Sequence, residues 1–245
     1  MLKLGETGVS ALYLGDAKIK KVYLGSELVF EEKKPSRLPA GYTEVEYIYP
    51  ADYRATLNTG QTLGTYNVET VIAYSSIPGG TLVEKYKIFE ARRVASSRYY
   101  VVQVFAYYAK VANLSIANAN TSFSDYSNSV GPKVKPVAGQ RYTVKYIYSS
   151  STGGAKVDVD GTSSSIASYS TAPSSAGTVI LGPGGSKATY IRYYSFRIVS
   201  SSGNYMVDLV PCIDPSGIVG MYDLRNNIFK GPVSASYKWL AGPAV

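Results

Sequence analysis

From Gly41 onward, apolar and polar residues alternate with a period of two, in short runs cut by turn-forming residues. This periodicity constrains the fold most, because a helix needs a period near 3.6 to gather its apolar residues on one face. Val45, Tyr47 and Tyr49 alternate with Glu44, Glu46 and Ile48. Val68, Thr70, Ile72 and Tyr74 alternate with Glu69, Val71 and Ala73, and Val144, Tyr146 and Tyr148 with Thr143, Lys145 and Ile147. Tyr194, Phe196 and Ile198 repeat the pattern near the end. Breakers separate these runs, among them Pro78-Gly79-Gly80, Gly131-Pro132, Gly153-Gly154, Gly182-Pro183 and Gly203-Asn204. Residues 99–117 are rich in Ala, Val and Tyr, and the Val and Tyr favour strand there. Many short strands without a long helix predict an all-β, two-sheet sandwich.

Asp208 to Pro232 reads as three short strands and two tight turns, a segment able to complete a sheet begun much earlier. In Asp214-Pro215-Ser216-Gly217, Pro presets φ and Gly permits the left-handed region. Arg225-Asn226-Asn227 supplies the second turn, since Asn tolerates positive φ. Upstream, Val157 and Val159 face opposite to Lys156, Asp158 and Asp160, and Asp160-Gly161 predicts a hairpin.

Residues 1–30 contain a repeat: Ala11-Leu12-Tyr13-Leu14-Gly15-Asp16 returns ten residues later as Lys21-Val22-Tyr23-Leu24-Gly25-Ser26. With Glu27-Leu28-Val29-Phe30 this predicts a small β-meander, too short to bury a core alone and therefore in need of a partner surface. The charged, proline-bearing stretch Glu31 to Pro39 reads as a junction. The expected organisation is an N-terminal β repeat over residues 1–34 and a sandwich over residues 35–245.

The chain has no His and one Cys. That excludes Ser-His-Asp and Cys-His catalysis, internal disulfides and Cys-based zinc sites. Cys212, between Pro211 and Ile213, reads as a small buried hydrophobe. Glycoside hydrolysis needs two carboxyl groups flanking the scissile bond. Glu44 with Glu46, and Asp158 with Asp160, share strand faces, but each pair reads as the polar side of an amphipathic strand. Asp125, Asp158 and Asp160 are the residues available for calcium, yet their spacing matches no calcium loop. The expectation is no catalytic residue, no metal and no cofactor. Met1 to Gly8 lacks the apolar core of a signal peptide, and no apolar run is long enough for a membrane-spanning helix. A net charge of +8 comes from scattered Lys and Arg, which reads as solubility ahead of steering toward an anionic surface such as a cell-wall polymer, and the basic and aromatic residues form no recognisable nucleic-acid-binding module.

The 24 tyrosines point to recognition. Tyr with Ser, Gly and Asn offers large contact area at low entropic cost, and sugar faces stack on exposed rings. On an alternating strand Tyr99 and Tyr100 cannot share a face, nor can Tyr107 and Tyr108, so some of these rings face outward or into a second chain. The candidate ligand-binding residues are Arg98, Tyr99, Tyr107, Tyr108, Asp125, Tyr126 and Asn128. Trp239 reads as a packing residue.

Three places resemble a known family. Leu38-Pro39-Ala40-Gly41-Tyr42-Thr43-Glu44-Val45-Glu46-Tyr47-Ile48 is similar to the opening of concanavalin-like (LamG-like) jelly-roll domains. Tyr194 to Ile198, Asp208 to Cys212 and Gly217 to Leu224 resemble the C-terminal end of the same domains. The doubled Tyr-Leu-Gly resembles repeats found ahead of such domains in bacteriophage structural proteins. The resemblance implies a concanavalin-like two-sheet jelly-roll sandwich preceded by the meander. It implies a phage or prophage tail-associated, receptor-binding protein that recognises host cell-surface polysaccharide without cleaving it. A purely structural tail or baseplate subunit and a glycan-cleaving tail enzyme are the alternatives. The expected setting is the virion tail after synthesis in the host cytoplasm, with other tail proteins as partners, a homotrimer as assembly, and neither nucleic acid nor membrane insertion.

Overall fold

The computed structural model describes residues 3–4, 7–8, 12–14, 17–19, 21–24, 27–31, 36–52, 54–76, 86–95, 98–107, 110–119, 130–168, 177–182 and 191–245. In residues 3–31 other than Val22, and at 86, 92–95, 98–101, 107, 115–119 and 168, it describes the backbone alone. The chain divides into two compact units, Met1–Arg37 with Val245, and Leu38–Ala244.

The first unit holds three antiparallel hairpins in succession: β1 (Lys3–Leu4) with β2 (Thr7–Gly8), β3 (Leu12–Leu14) with β4 (Ala17–Ile19), and β5 (Lys21–Leu24) with β6 (Glu27–Glu31). Each copy of the Tyr-Leu-Gly repeat places its Tyr and Leu in the opening strand of a hairpin. Among the described residues the expected meander is a series of two-stranded ladders.

The second unit is a sandwich of two antiparallel sheets, as the alternation predicts; no helix occurs among the described residues. The first sheet runs β16 (Thr162–Ser163), β15 (Gly154–Val159), β14 (Arg141–Ser149), β10 (Asn67–Tyr74), β19 (Ile191–Val199), β20 (Tyr205–Ile213), β21 (Val219–Asp223), β22 (Ile228–Lys230). Short strands extend it: β17 (Ala167–Ser168) beside β15, β7 (Thr43–Glu44) beside β20, β8 (Ile48–Pro50) beside β19, and β23 (Trp239–Ala241) beside β8. The second sheet runs β13 (Lys110–Ala119), β12 (Arg98–Tyr107), β11 (Tyr86–Ala95), β18 (Thr178–Leu181), β9 (Leu57–Thr62).

The inward faces meet in one core. Val68, Thr70, Ile72 and Tyr74 are all buried, as are Val144, Tyr146, Val157 and Val159. Phe89 of the second sheet stands edge-on to Tyr146 and Phe196 of the first, with ring centroids 6.3 and 5.8 Å apart. Trp239 packs on Tyr193 at 5.6 Å, the packing role expected of it. On the outer side of the first sheet a smaller cluster joins Leu38 to Val210, Cys212 and Tyr222, with Tyr42 5.0 Å from the Tyr222 ring. The motifs at the two ends of this domain thus meet in space, and β7 pairs with β20 through Glu44 and Cys212.

Both predicted turns of the tail form: the Gly217 and Asn227 backbones are left-handed at φ 81° and 53°. Asp160 and Gly161, with φ of 48° and 86°, make the predicted hairpin. Asp158 there accepts from the Gly161 amide at 2.9 Å and the Ser163 hydroxyl at 2.8 Å, and Asp160 accepts from the Thr143 amide at 2.8 Å. Both carboxylates brace the hairpin.

Buried hydroxyls answer the irregular points of the ladders. A bulge in β11 leaves Ile88 outside the register between Lys87 and Phe89. The Tyr193 hydroxyl crosses from the opposite sheet and donates to the Ile88 carbonyl at 2.8 Å. The register of β12 and β13 shifts beyond Phe105, and there the Tyr74 hydroxyl donates to the Val111 carbonyl at 2.6 Å. In β19 the extra residue is Tyr194, and the Thr70 hydroxyl donates to the neighbouring Ser195 carbonyl at 2.7 Å. A carbonyl removed from its ladder and buried would otherwise cost a lost hydrogen bond. Several tyrosines in this Tyr-rich chain therefore serve the core.

Two expected faces are corrected. Val45 is buried, but the chain bends at Glu46, so that Ile48 and Pro50 turn inward while Tyr47 and Tyr49 are half-exposed. In β19 the bulge breaks the predicted alternation: Phe196 and Ile198 are buried, whereas Tyr194 stands half-exposed beside Ser195.

Candidate functional site

These two departures converge on the outer face of the first sheet. The bulge in β19 puts Tyr194 and Ser195 outward in succession, and the bend before β8 brings Tyr47 beside them. Bulges commonly re-aim a side chain in this way. The Tyr47 and Tyr194 rings lie 5.3 Å apart at 56°, and Tyr49 lies 6.2 Å from Tyr47.

Cations close both ends of this ring pair. The Arg141 guanidinium sits 4.0 Å from the Tyr194 ring centre and that of Arg192 sits 4.7 Å from Tyr47. The sequence of groups is Arg141, Tyr194, Tyr47, Arg192. Each guanidinium–ring contact at an exposed site contributes about 0.5–1 kcal/mol. Arg141 also pairs with Glu46, and the two side chains are 52% and 42% exposed, so the face is open to solvent. Ala73 explains how the strands allow this: it stands between Arg141 and Arg192 in the cross-strand register, and its small side chain leaves room above the sheet.

Gly242 fixes the floor. A Cβ there would come within 2.7 Å of two carbons of the Tyr47 ring, so the ring lies directly on bare backbone. The Gly242 amide donates to the Tyr47 carbonyl at 2.8 Å, which holds the chain against β8. Neither the Tyr47 nor the Tyr194 hydroxyl has a hydrogen-bond partner among the described residues. The face therefore offers two tilted rings with their phenol groups and flanking guanidinium groups, a set suited to stacking on and hydrogen-bonding with a polar ring-shaped ligand.

The second sheet carries a different polar group. Glu90 receives the Lys87 ammonium at 2.7 Å and the Gln103 amide at 3.0 Å, and Gln103 is buried. Asn113 is also buried, and its amide nitrogen has no partner among the described residues. Among the described residues no three Cys, Asp or Glu side chains come together in a way that would hold a metal ion.

Of the residues singled out from the sequence, Arg98, Tyr99 and Tyr107 lie in β12, opposite Ala95, Val94 and Lys110 respectively. Tyr108, Asp125, Tyr126 and Asn128 lie outside the described residues. The Tyr47 and Tyr194 face was not among the expected sites. The signal for it was present: Tyr193-Tyr194 is a doublet like Tyr99-Tyr100, and the same alternation rule sends one member outward. The structure sends Tyr193 to the core and Tyr194 to the surface.

No family model matches the chain, and no curated protein sequence matches it. Among solved structures it is similar to the native heptameric SAP-like pentraxin from Limulus polyphemus, at 17% identity and a TM-score of 0.43, over 64% of this chain and 76% of that one.

Proposed function

We propose that the sandwich is a non-enzymatic module that binds cell-surface glycan on the Tyr47 and Tyr194 face, in a tail-associated, receptor-binding protein of a bacteriophage or prophage. The observation that carries the binding role is the exposed ring pair, which arginines flank and whose phenol groups have no partner among the described residues. Sugars present CH-rich faces to aromatic rings and hydroxyls to phenols and guanidinium groups, and this surface offers both. The virion setting rests on the sequence resemblance, with other tail proteins as partners and a trimer as its assembly. The test is binding of the full chain to host wall polysaccharide, measured by calorimetry beside Tyr194→Ala and Tyr99→Ala. Loss with Tyr194→Ala alone supports the outer-face site. Loss with Tyr99→Ala alone moves binding to the Tyr-rich stretch of β12. Absence of binding by the unaltered chain refutes the glycan role.

A further inference from the structure

The charges on this sheet face are arranged in two unlike rows. In the first, Lys145, Glu69, Arg197 and Asp208 stand side by side on β14, β10, β19 and β20, in direct cross-strand register. Their signs alternate. Lys145 meets Glu69 at 2.9 Å, Arg197 meets Glu69 at 3.5 Å, and Arg197 donates to Asp208 at 2.9 Å. Asp158 of β15 stands in register on the far side of Lys145, so both cations of this row are matched by carboxylates.

The second row lies four strand positions away, roughly 13 Å along the strands. Here Arg141 and Arg192 flank Ala73 where the first row has Lys145 and Arg197 flanking Glu69. The central carboxylate is missing. Glu46 neutralises Arg141, while Arg192 lies over the Tyr47 ring and has no carboxylate partner among the described residues. A sheet that matches every cation of one row with carboxylates and, among the described residues, leaves Arg192 in the next without one, beside two open rings, has a place for an external anion. Arginine suits this role, since its planar fork matches carboxylate and phosphate oxygens.

We infer that the glycan bound on this face is anionic, and that Arg192, with Arg141 released in part from Glu46, receives a carboxylate or phosphate substituent while Tyr47 and Tyr194 hold the sugar ring. This rests on the glycan-binding reading above and narrows it to a ligand class.

The experiment is a microbial glycan array probed with the full chain, its acidic polymers printed in native, carboxyl-reduced and dephosphorylated forms. Signal is expected on native acidic polymers and at least a tenfold loss on their neutralised counterparts. Loss on carboxyl reduction identifies a uronic-type acid; loss on dephosphorylation identifies a phosphate. Arg192→Gln is expected to weaken binding to the native polymer about tenfold, to leave binding to the neutralised one unchanged, and to flatten the salt dependence. Arg192→Lys keeps the charge without the fork and is expected to fall between. Tyr194→Ala is expected to abolish both. Unchanged signal on neutralised polymers and with Arg192→Gln, while Tyr194→Ala still abolishes it, overturns the anionic ligand and leaves the glycan reading standing. No signal on any polymer overturns both.

Discussion

Tyr193 and Tyr194 are chemically identical neighbours to which the structure gives opposite tasks, so removing one hydroxyl at a time tests the bulge in β19 directly. Tyr193→Phe keeps the ring against Trp239, 5.6 Å away, and deletes only the hydroxyl, which donates to the Ile88 carbonyl at 2.8 Å and more weakly to that of Lys87 at 3.4 Å. Burial pushes the Tyr193 phenol well above its ordinary range, so it is a neutral donor at any pH at which the protein is handled. Ile88 is buried and stands at a bulge where its carbonyl is off the regular ladder. Stranding that carbonyl costs about 1–3 kcal/mol. In a domain of this size each kcal/mol lowers Tm by roughly 2–4 °C. Tyr194→Phe removes a hydroxyl with no partner among the described residues and should stay within about 0.5 kcal/mol. The assay is urea unfolding followed by Trp239 fluorescence, with glycan binding measured on the same samples. Tyr193→Phe should shift the midpoint down with binding intact; Tyr194→Phe should hold the midpoint and weaken binding. Equal midpoints for the two variants, or a greater loss for Tyr194→Phe, would refute the placement of the bulge.

Other substitutions separate site from scaffold. Gly242→Ala places a Cβ 2.7 Å from the Tyr47 ring, which must move by about 1 Å to reach ordinary carbon contact. Because the ring is at the surface, unfolding should change by less than about 1 kcal/mol while glycan affinity falls several-fold, as titration calorimetry would show. Gly182→Ala combines a left-handed φ of 90° with a Cβ 2.4 Å from the Ala55 carbonyl oxygen, so backbone has to give. A loss above about 2 kcal/mol in urea unfolding is expected. Cys212 is fully buried, and burial, with Asp214 and Glu44 adding, pushes its thiol up to about 12 from an ordinary 9.0. The unfolded chain therefore releases this proton at lower pH than the folded one, so stability is intact below about pH 9 and falls as pH rises toward 12. Tyr74 and Tyr193, both raised by burial, add to that fall above about pH 10. Thermal unfolding across pH 8 to 11 should show the decline, and Cys212→Ala should remove its earliest part. A thiol reagent at pH 8 should label Cys212 only above the urea midpoint.

The period-two pattern was legible because one face of the long strands is buried, as in β10, where Val68, Thr70, Ile72 and Tyr74 all are, and in β14 at Tyr142, Val144 and Tyr146. Turn chemistry was equally local: Asp160-Gly161 and Asp214 to Gly217 take the left-handed positions their residue types allow. What the alternation could not carry was a change of phase. A bend at Glu46 and one extra residue at Tyr194 each invert which side of the sheet a tyrosine occupies, and a side-chain period of two gives no warning of either. The strand partner decides it: Val71 pairs with Ser195 while Ile72 pairs with Tyr193, a fact of register between residues more than a hundred positions apart. The acceptors for buried tyrosines are also non-local, Ile88 for Tyr193 and Val111 for Tyr74. Tyrosine count alone therefore mixes two populations. One spans the core to satisfy carbonyls that bulges displace, and the other is turned outward by the same kind of bulge. The irregularities that defeat a sequence reading of β19 and β8 are what assemble the Tyr47 and Tyr194 face, and Ala73 and Gly242, the small residues beneath and beside it, are its least conspicuous marks in the sequence.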